Sequence, residues 1–443
     1  MSRLKSREWI PEKTEQFTKD ISEKIANNTT KEVRKQLWSL SDQNRQIHEE
    51  ECFNLDPAAN VMNPRAEEIL ASGLSSRPSL GYPKDKYETG LEAIEEIEVI
   101  TAELCAEIFK ASYAEIRVPS GAISNLYAFM ATCRPGDVII APPPSIGGHV
   151  THHEAGCAGL YGLTIHHAPV DATNYTIDIE ALRVLAKKVK PKLITIGGSL
   201  NLFPHDVRNA RKVADEVGAK LLFDAAHQCG IIAGGSWPNP LEDGAHIMTM
   251  STYKSLGGPA GGLIVSNDAA LAKKLEAIAF PGMTANFDAG KSAALALTML
   301  DWKDYGTAYA KAMIATAQRF AQELEQEGIP VFGKERGYTQ SHQFAVLAKP
   351  FGGGHSSSAR LRQAGFLTCG IGLPVESIEG ELNGLRIGTS EIVRWGVTVE
   401  DIPKIAQLLA KALRSDRPED LADEVSALRK SYQQLHFMNL EKI

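Results

Sequence analysis

With 443 residues the chain exceeds what one small hydrophobic core serves, so two domains and a terminal arm are expected. Its 43% hydrophobic and 23% charged residues exclude a disordered chain. The formal net charge of -7, from 47 basic against 54 acidic residues, excludes a general nucleic-acid binder, which needs a concentrated basic surface.

In chain order, residues 1–50 are polar, with Ile21, Ile25, Val33 and Leu37 at loose helical spacing. They read as most of an arm over 1–60 that packs on another subunit. Thr89-Gly-Leu-Glu92 has the form of a capping box ahead of a helix, and Ile94, Ile97, Ile100, Leu104 and Ile108 recur along that helix as its buried face. Short apolar runs then alternate with amphipathic helices. AEIRV, DVIIAPP, LTIHHAP, PKLITIGG, AKLLFDAAH and HIMTM read as strands. NLYAFMATC, DIEALRVLAKKV and DVRNARKVADEVG read as helices between them, the last capped by Asp206 and stopped by Gly218. Such alternation implies an α/β fold with a mostly parallel sheet, whose ligand site lies at the carboxyl ends of the strands. The large domain is placed over 61–287. A long helical stretch and shorter strands make a smaller α+β domain over 288–443, in which GGGHSSSAR (352–360) reads as a flexible loop.

Six cysteines, Cys52, Cys105, Cys133, Cys157, Cys229 and Cys369, lack paired spacing, which fits reduced thiols of a cytoplasmic protein. The start, MSRLKSREWIPEKTEQ, has no apolar signal core, and no run approaches the roughly 20 apolar residues of a membrane span.

Three strand ends carry chemistry. HIMTMSTYKSLGGPAGG sets Lys254 after an apolar strand, among hydroxyls and before glycines that let the backbone approach a bound group. LLFDAAH ends a buried strand with Asp224, where an acid is costly unless paired. VPSGAISN opens a helix at Ser120, Gly121 and Ala122, whose free amides attract an anion. The three needs of pyridoxal phosphate are met here: an amine for a Schiff base, an acid for the ring nitrogen and donors for the phosphate. The bland alternatives are a solvated lysine, an acid capping a turn and an ordinary strand–helix turn. His149, His152 and His153 lie close together, but no acidic or cysteine partner stands at ligand spacing, so no metal site is expected.

The motifs GGHVTHH, LLFDAAH, STYKSLGGPAGGLI, WPNP and LRIGT resemble serine hydroxymethyltransferase, a family of the aspartate-aminotransferase-like fold (fold type I) with a mostly parallel seven-stranded sheet. The resemblance implies a homodimer with shared active sites, pyridoxal phosphate on Lys254, and Asp224 at the pyridine nitrogen. It places His227 and Ser199 near the ring hydroxyl and His149 against the ring. Ser120, Gly121, Ala122 and Ser251 would hold the phosphate, and Arg386 the substrate carboxylate. Tyr87 would come from the neighbouring subunit.

The chain departs from the family on the folate side. Where the family has a glutamate before GYP, this chain has Leu80; Pro78, Glu88, Tyr253 and Ala260 replace tyrosine, tyrosine, histidine and arginine. FPGMTANFDAGK is shortened, and CGIGLPVES stands for an asparagine loop. A leucine moves no proton, so the expectation is a folate-independent aldolase acting on a β-hydroxy-α-amino acid of threonine or α-methylserine type. Glu88 and His149 are the candidate bases, Glu88 ahead. The alternatives are a tetrahydrofolate-dependent hydroxymethyltransferase, a racemase or aminotransferase, and a catalytically silent subunit.

Overall fold

The computed structural model describes residues 3–442. Seven strands make the main sheet: β1 (Tyr113–Val118), β2 (Val138–Ala141), β3 (Thr164–His167), β4 (Leu193–Gly197), β5 (Lys220–Asp224), β6 (Ile247–Ser251) and β7 (Gly262–Ser266). Their order is β1-β7-β6-β5-β4-β2-β3, with β7 antiparallel to both neighbours and the other pairings parallel. Strands β4, β6 and β7 are buried throughout, as expected of a sheet covered on both faces. The six strands read from the sequence are all present; β7 is the one added.

Helices α1 (Glu12–Asn27) and α2 (Thr30–Arg45) form the arm and bury no residue. Helix α3 (Glu92–Phe109) precedes the sheet, α4 (Gly121–Thr132) follows β1, and α5 (Ile179–Val189) and α6 (Val207–Val217) flank β4. On α6, Asp206 accepts from Asn209 N–H and Gly218 closes the end in the left-handed region, as the sequence implies. Two expectations fail nearby. The capping box at Thr89 does not form: the residue before α3 is Leu91, without a side-chain cap. The buried face of α3 is Ile94, Glu98, Thr101, Cys105 and Phe109, and Ile100 is exposed. Glu98 is admitted to the interior because the equally buried Lys86 amine pairs with it at 2.7 Å. A polar pair, invisible to an apolar-periodicity count, therefore rotates the helix.

Helix α7 (Ala289–Gln326) crosses the molecule. Its first half packs Leu295, Met299 and Trp302 into the core around the main sheet, and its second half packs Ala317, Phe320 and Leu324 into another. That second core covers the antiparallel strands β8 (Gln343–Leu347), β9 (Cys369–Ile371) and β10 (Gly384–Gly388), in the order β8-β10-β9. Residues Phe53–Asn54, just beyond the arm helices, pair with Phe366–Leu367 and bury Phe53 in the same core. The stretch read as a flexible loop is mostly helix α8 (Gly354–Gln363). The Glu381 carboxylate, remote in sequence, accepts from His355 N–H and Ser356 N–H at 2.9 and 3.0 Å and so starts that helix. Helix α9 (Ile402–Arg414) closes the second core.

Candidate active site

The register of β4, β5 and β6 sets Gly197, Asp224 and Thr249 side by side at the carboxyl edge. Asp224 is 2% exposed. Its carboxylate accepts from His152 Nε2–H at 2.8 Å, Asn125 Nδ2–H at 3.0 Å and Ala226 N–H at 3.0 Å. Burial alone would favour its neutral form, but these donors outweigh burial and hold it well below the usual carboxylate range. Asn125 is itself aimed by Thr249 Oγ1–H, which donates to its side-chain oxygen at 2.7 Å. The expected pairing of Asp224 thus exists without a ligand, through two residues assigned no role from the sequence. His152 follows His149 in GGHVTHH, and Asn125 lies one turn into α4. In place of the metal ligation that clustered histidines can supply, His152 donates to the acid.

Lys254 lies three residues beyond β6 and is 7% exposed. Its amine has no hydrogen-bond or ion-pair partner among the described residues; the Tyr253 ring centre is 6.0 Å away. Burial pushes this amine down to about 8, opposed by the charge of Asp224 and assisted by that of Arg386. The charges of Asp224 and Arg386 are thus both felt at the Lys254 amine.

Ser120 caps α4, its hydroxyl accepting from Ile123 N–H at 3.3 Å, and leaves the first amides of the helix turned outward. Gly121 sits directly on Ser251, where a Cβ would collide with the serine hydroxyl. The four anion-binding candidates are therefore neighbours, joined across the β1–α4 turn and the end of β6. His149 is half-buried, with its ring Nδ1 3.0 Å from Thr151 Oγ1. Burial, partly offset by Asp224, pushes its imidazole down to about 4, so it is uncharged at neutral pH.

Arg386, on β10 of the second sheet, reaches back to the first. Its Nη1–H donates to the Ser199 carbonyl at 2.6 Å and to His227 Nε2 at 3.2 Å. Its Nε–H and Nη2–H both donate to Cys369 Sγ, at 3.3 and 3.1 Å. Asp56 Oδ1 stands 3.8 Å from Nη2. Ser199 thus meets the site through its main chain. His227, fully buried, is held well below its usual value by burial first and then by the charges of Lys254 and Arg386. A neutral ring that accepts at Nε2 carries its proton on Nδ1, and that buried atom has no partner among the described residues. Asp56 and Cys369 were not foreseen.

Tyr87 and Glu88 stand apart. Tyr87 is 83% exposed, and Glu88 buries Oε2 with no partner among the described residues. Within one chain neither joins the hydrogen bonds of the cluster.

An anion cradle at a helix start, an unpartnered buried amine and an ionised buried acid, all at the carboxyl edge of a seven-stranded sheet with one antiparallel strand, define a fold type I pyridoxal-phosphate architecture. A structure of an L-threonine transaldolase from Pseudomonas fluorescens, in its internal aldimine state, shares this fold with a TM-score of 0.84 at 20% identity, over 92% of this chain and 94% of that one. More specifically, the serine hydroxymethyltransferase family model matches residues 30–409, and the chain belongs to that family. An α-methylserine aldolase of Variovorax paradoxus is 62% identical over 93% of each chain, and one of Ralstonia sp is 53% identical over 98% of this chain and 100% of its own. A serine hydroxymethyltransferase of Staphylothermus marinus is 34% identical over 91% of this chain and 92% of its own.

Proposed function

We propose that this protein is a pyridoxal-phosphate-dependent, folate-independent aldolase that cleaves or forms a β-hydroxy-α-amino acid of the α-methylserine or threonine type, giving a small amino acid and an aldehyde. The observation that carries this reading is the pairing of a cofactor cluster assembled in one chain with a leucine, Leu80, where the family has its proton-moving glutamate. The names of the relatives at 62% and 53% identity support it.

The residues present fit the cofactor. Lys254 offers a free amine, Asp224 a fixed negative charge for a protonated ring nitrogen, and His227 an unpartnered Nδ1–H for an oxygen. Ser120, Gly121, Ala122 and Ser251 would hold the phosphate, Ser199 would lie near the ring hydroxyl and His149 would stack on the ring. When bound, the cofactor supplies an electron sink for the pair released at the α-carbon.

The chain's own groups do the rest. Arg386 binds the substrate carboxylate through its terminal nitrogens and orients the bond to be broken. A guanidinium suits that task because its planar fork matches two carboxylate oxygens. Asp224 stays ionised throughout, since the three donors that hold it are fixed before substrate arrives. The β-hydroxyl proton goes to Glu88 or His149, the second being an uncharged acceptor at neutral pH.

The active unit is a homodimer in the cytoplasm that shares its sites. The exposed Tyr87, the buried and unpartnered Glu88 Oε2 and the uncovered aromatics Trp9, Phe17 and Trp38 support the dimer. The six unpaired cysteines support a reducing compartment. No helix among the described residues is long and apolar enough to cross a membrane.

The test is aldehyde release from a panel of β-hydroxy amino acids, including α-methylserine and threonine, with and without tetrahydrofolate. Cleavage indifferent to tetrahydrofolate is expected. Dependence on it would make the protein a hydroxymethyltransferase, the reading that the 34% identical relative favours. Exchange of the α-hydrogen with solvent and no aldehyde would make it a racemase.

A further inference from the structure

Arg386 and Cys369 are direct cross-strand partners of β10 and β9, and on the other side Arg386 faces only the small Ala345 of β8. Neighbours in that register share a face, so the thiol lies against the guanidinium by construction. The Cys369 sulfur takes both hydrogens of one edge, Nε–H at 3.3 Å and Nη2–H at 3.1 Å. Its own S–H donates to Asp56 Oδ1 at 3.2 Å, and Ala58 N–H steadies that oxygen at 3.0 Å. Asp56 Oδ2 has no hydrogen-bond partner among the described residues, and the side chain is 31% exposed.

A guanidinium can grip a carboxylate in parallel along more than one edge. Here the Nε edge is taken by sulfur and Nη1 by the Ser199 carbonyl and His227 Nε2, which leaves the second Nη2–H unpartnered among the described residues; a carboxylate grips the Nη1/Nη2 end by displacing the longer of the Nη1 contacts, that to His227 at 3.2 Å. A neutral thiol fills that edge without cancelling the positive charge, whereas a carboxylate in its place would compete with the substrate. Burial pushes the Cys369 thiol up to about 11 against the charge of Arg386, with Asp56 assisting, so it remains protonated and keeps its hydrogen for Asp56.

We propose that Cys369 and Asp56 are positioning residues that act through Arg386: Asp56 orients the thiol, the sulfur holds one guanidinium edge, and the terminal nitrogens are thereby presented to the amino-acid carboxylate. This rests on the reading of Arg386 as the carboxylate clamp. It makes the pair a determinant of substrate affinity more than of the bond-breaking step.

The experiment compares Cys369→Ala, Cys369→Ser and Asp56→Asn with the parent holoenzyme, using calorimetric titration with alanine and steady-state cleavage of α-methylserine. For Cys369→Ala the dissociation constant of alanine and the KM are expected to rise about tenfold, the scale of one hydrogen bond to a charged group, with a smaller fall in kcat. Cys369→Ser, whose hydroxyl can accept from Arg386 and donate to Asp56, is expected to restore most of the affinity. Asp56→Asn falls between. Ethanolamine, which lacks a carboxylate, should bind all four proteins alike. Unchanged alanine affinity in a folded Cys369→Ala protein overturns the inference, and so does an equal loss of ethanolamine binding, which would signal general damage. Arg386→Lys separates the two levels: if it too leaves alanine affinity unchanged, the clamp reading itself fails.

Discussion

The carboxyl edge around Lys254 and the segment formed by the arm and the Tyr87–Glu88 turn differ in opposite ways from an ordinary interior and surface. At the edge, polar groups are buried and largely hold one another: Asp224 has three donors and Arg386 is held by a carbonyl, an imidazole and a thiol, while the Lys254 amine and His227 Nδ1 stay unpartnered among the described residues. In the arm, apolar groups are exposed: Trp9, in the turn before α1, is 81% accessible, and Trp38 and Phe17 are 73% and 68% accessible on helices that bury nothing. Exposed aromatics gathered on one segment support the proposed subunit contact, since monomers rarely leave such patches bare. On the proposed reading, the contrast means that cofactor capture belongs to one chain while a second chain completes the site.

Predictions that strain this contrast run from large to small. Lys254→Ala should lose borohydride-fixable cofactor and cut turnover by at least about a thousandfold, the scale of removing a covalent catalytic group. Retention of the fixed cofactor on another lysine would break the account of the edge. Arg386→Lys should lower kcat/KM about a hundredfold, because an ammonium cannot reproduce the fork; kinetics on α-methylserine read this directly. Glu88→Gln tests the incomplete side. A fall of about a hundredfold in cleavage identifies it as the base, and unchanged cleavage leaves that role to His149.

Smaller effects follow from charge and from the arm. Lys254, displaced down to about 8, becomes neutral and nucleophilic as pH rises. Cofactor uptake by the apoprotein should therefore climb about tenfold per pH unit below that value and flatten above it. The folded amine titrates below its unfolded value, so the sign for stability is the same: the apoprotein gains as pH rises toward the ordinary lysine range and loses as pH falls through about 8. His149, displaced to about 4, should add no inflection near neutrality. Removing residues 1–28 should shift the unfolding midpoint of the remaining chain by only a degree or two, since no contact of the core is lost, yet weaken self-association in sedimentation. A large midpoint shift in the monomer would erase the distinction between the two regions.

Much of this was legible in the chain. Alternating apolar runs and capped helices such as the one from Asp206 to Gly218 specify strands and helices locally, because hydrophobic period and cap chemistry act over a few residues. The lysine, the acid and the anion turn announce themselves because each breaks the pattern of its strand end. What stayed hidden depends on partners far along the chain. The antiparallel insertion of β7, the rotation of α3 about Glu98 and Lys86, and the start of α8 on Glu381 are each decided by tertiary contact. So is the meeting of Asp56 with Cys369, 313 positions apart, beside Arg386. Local sequence sets which elements form and which groups can react; only the closed fold sets the distances at which a thiol, a carboxylate and a guanidinium feel one another, because those interactions decay within a few ångströms.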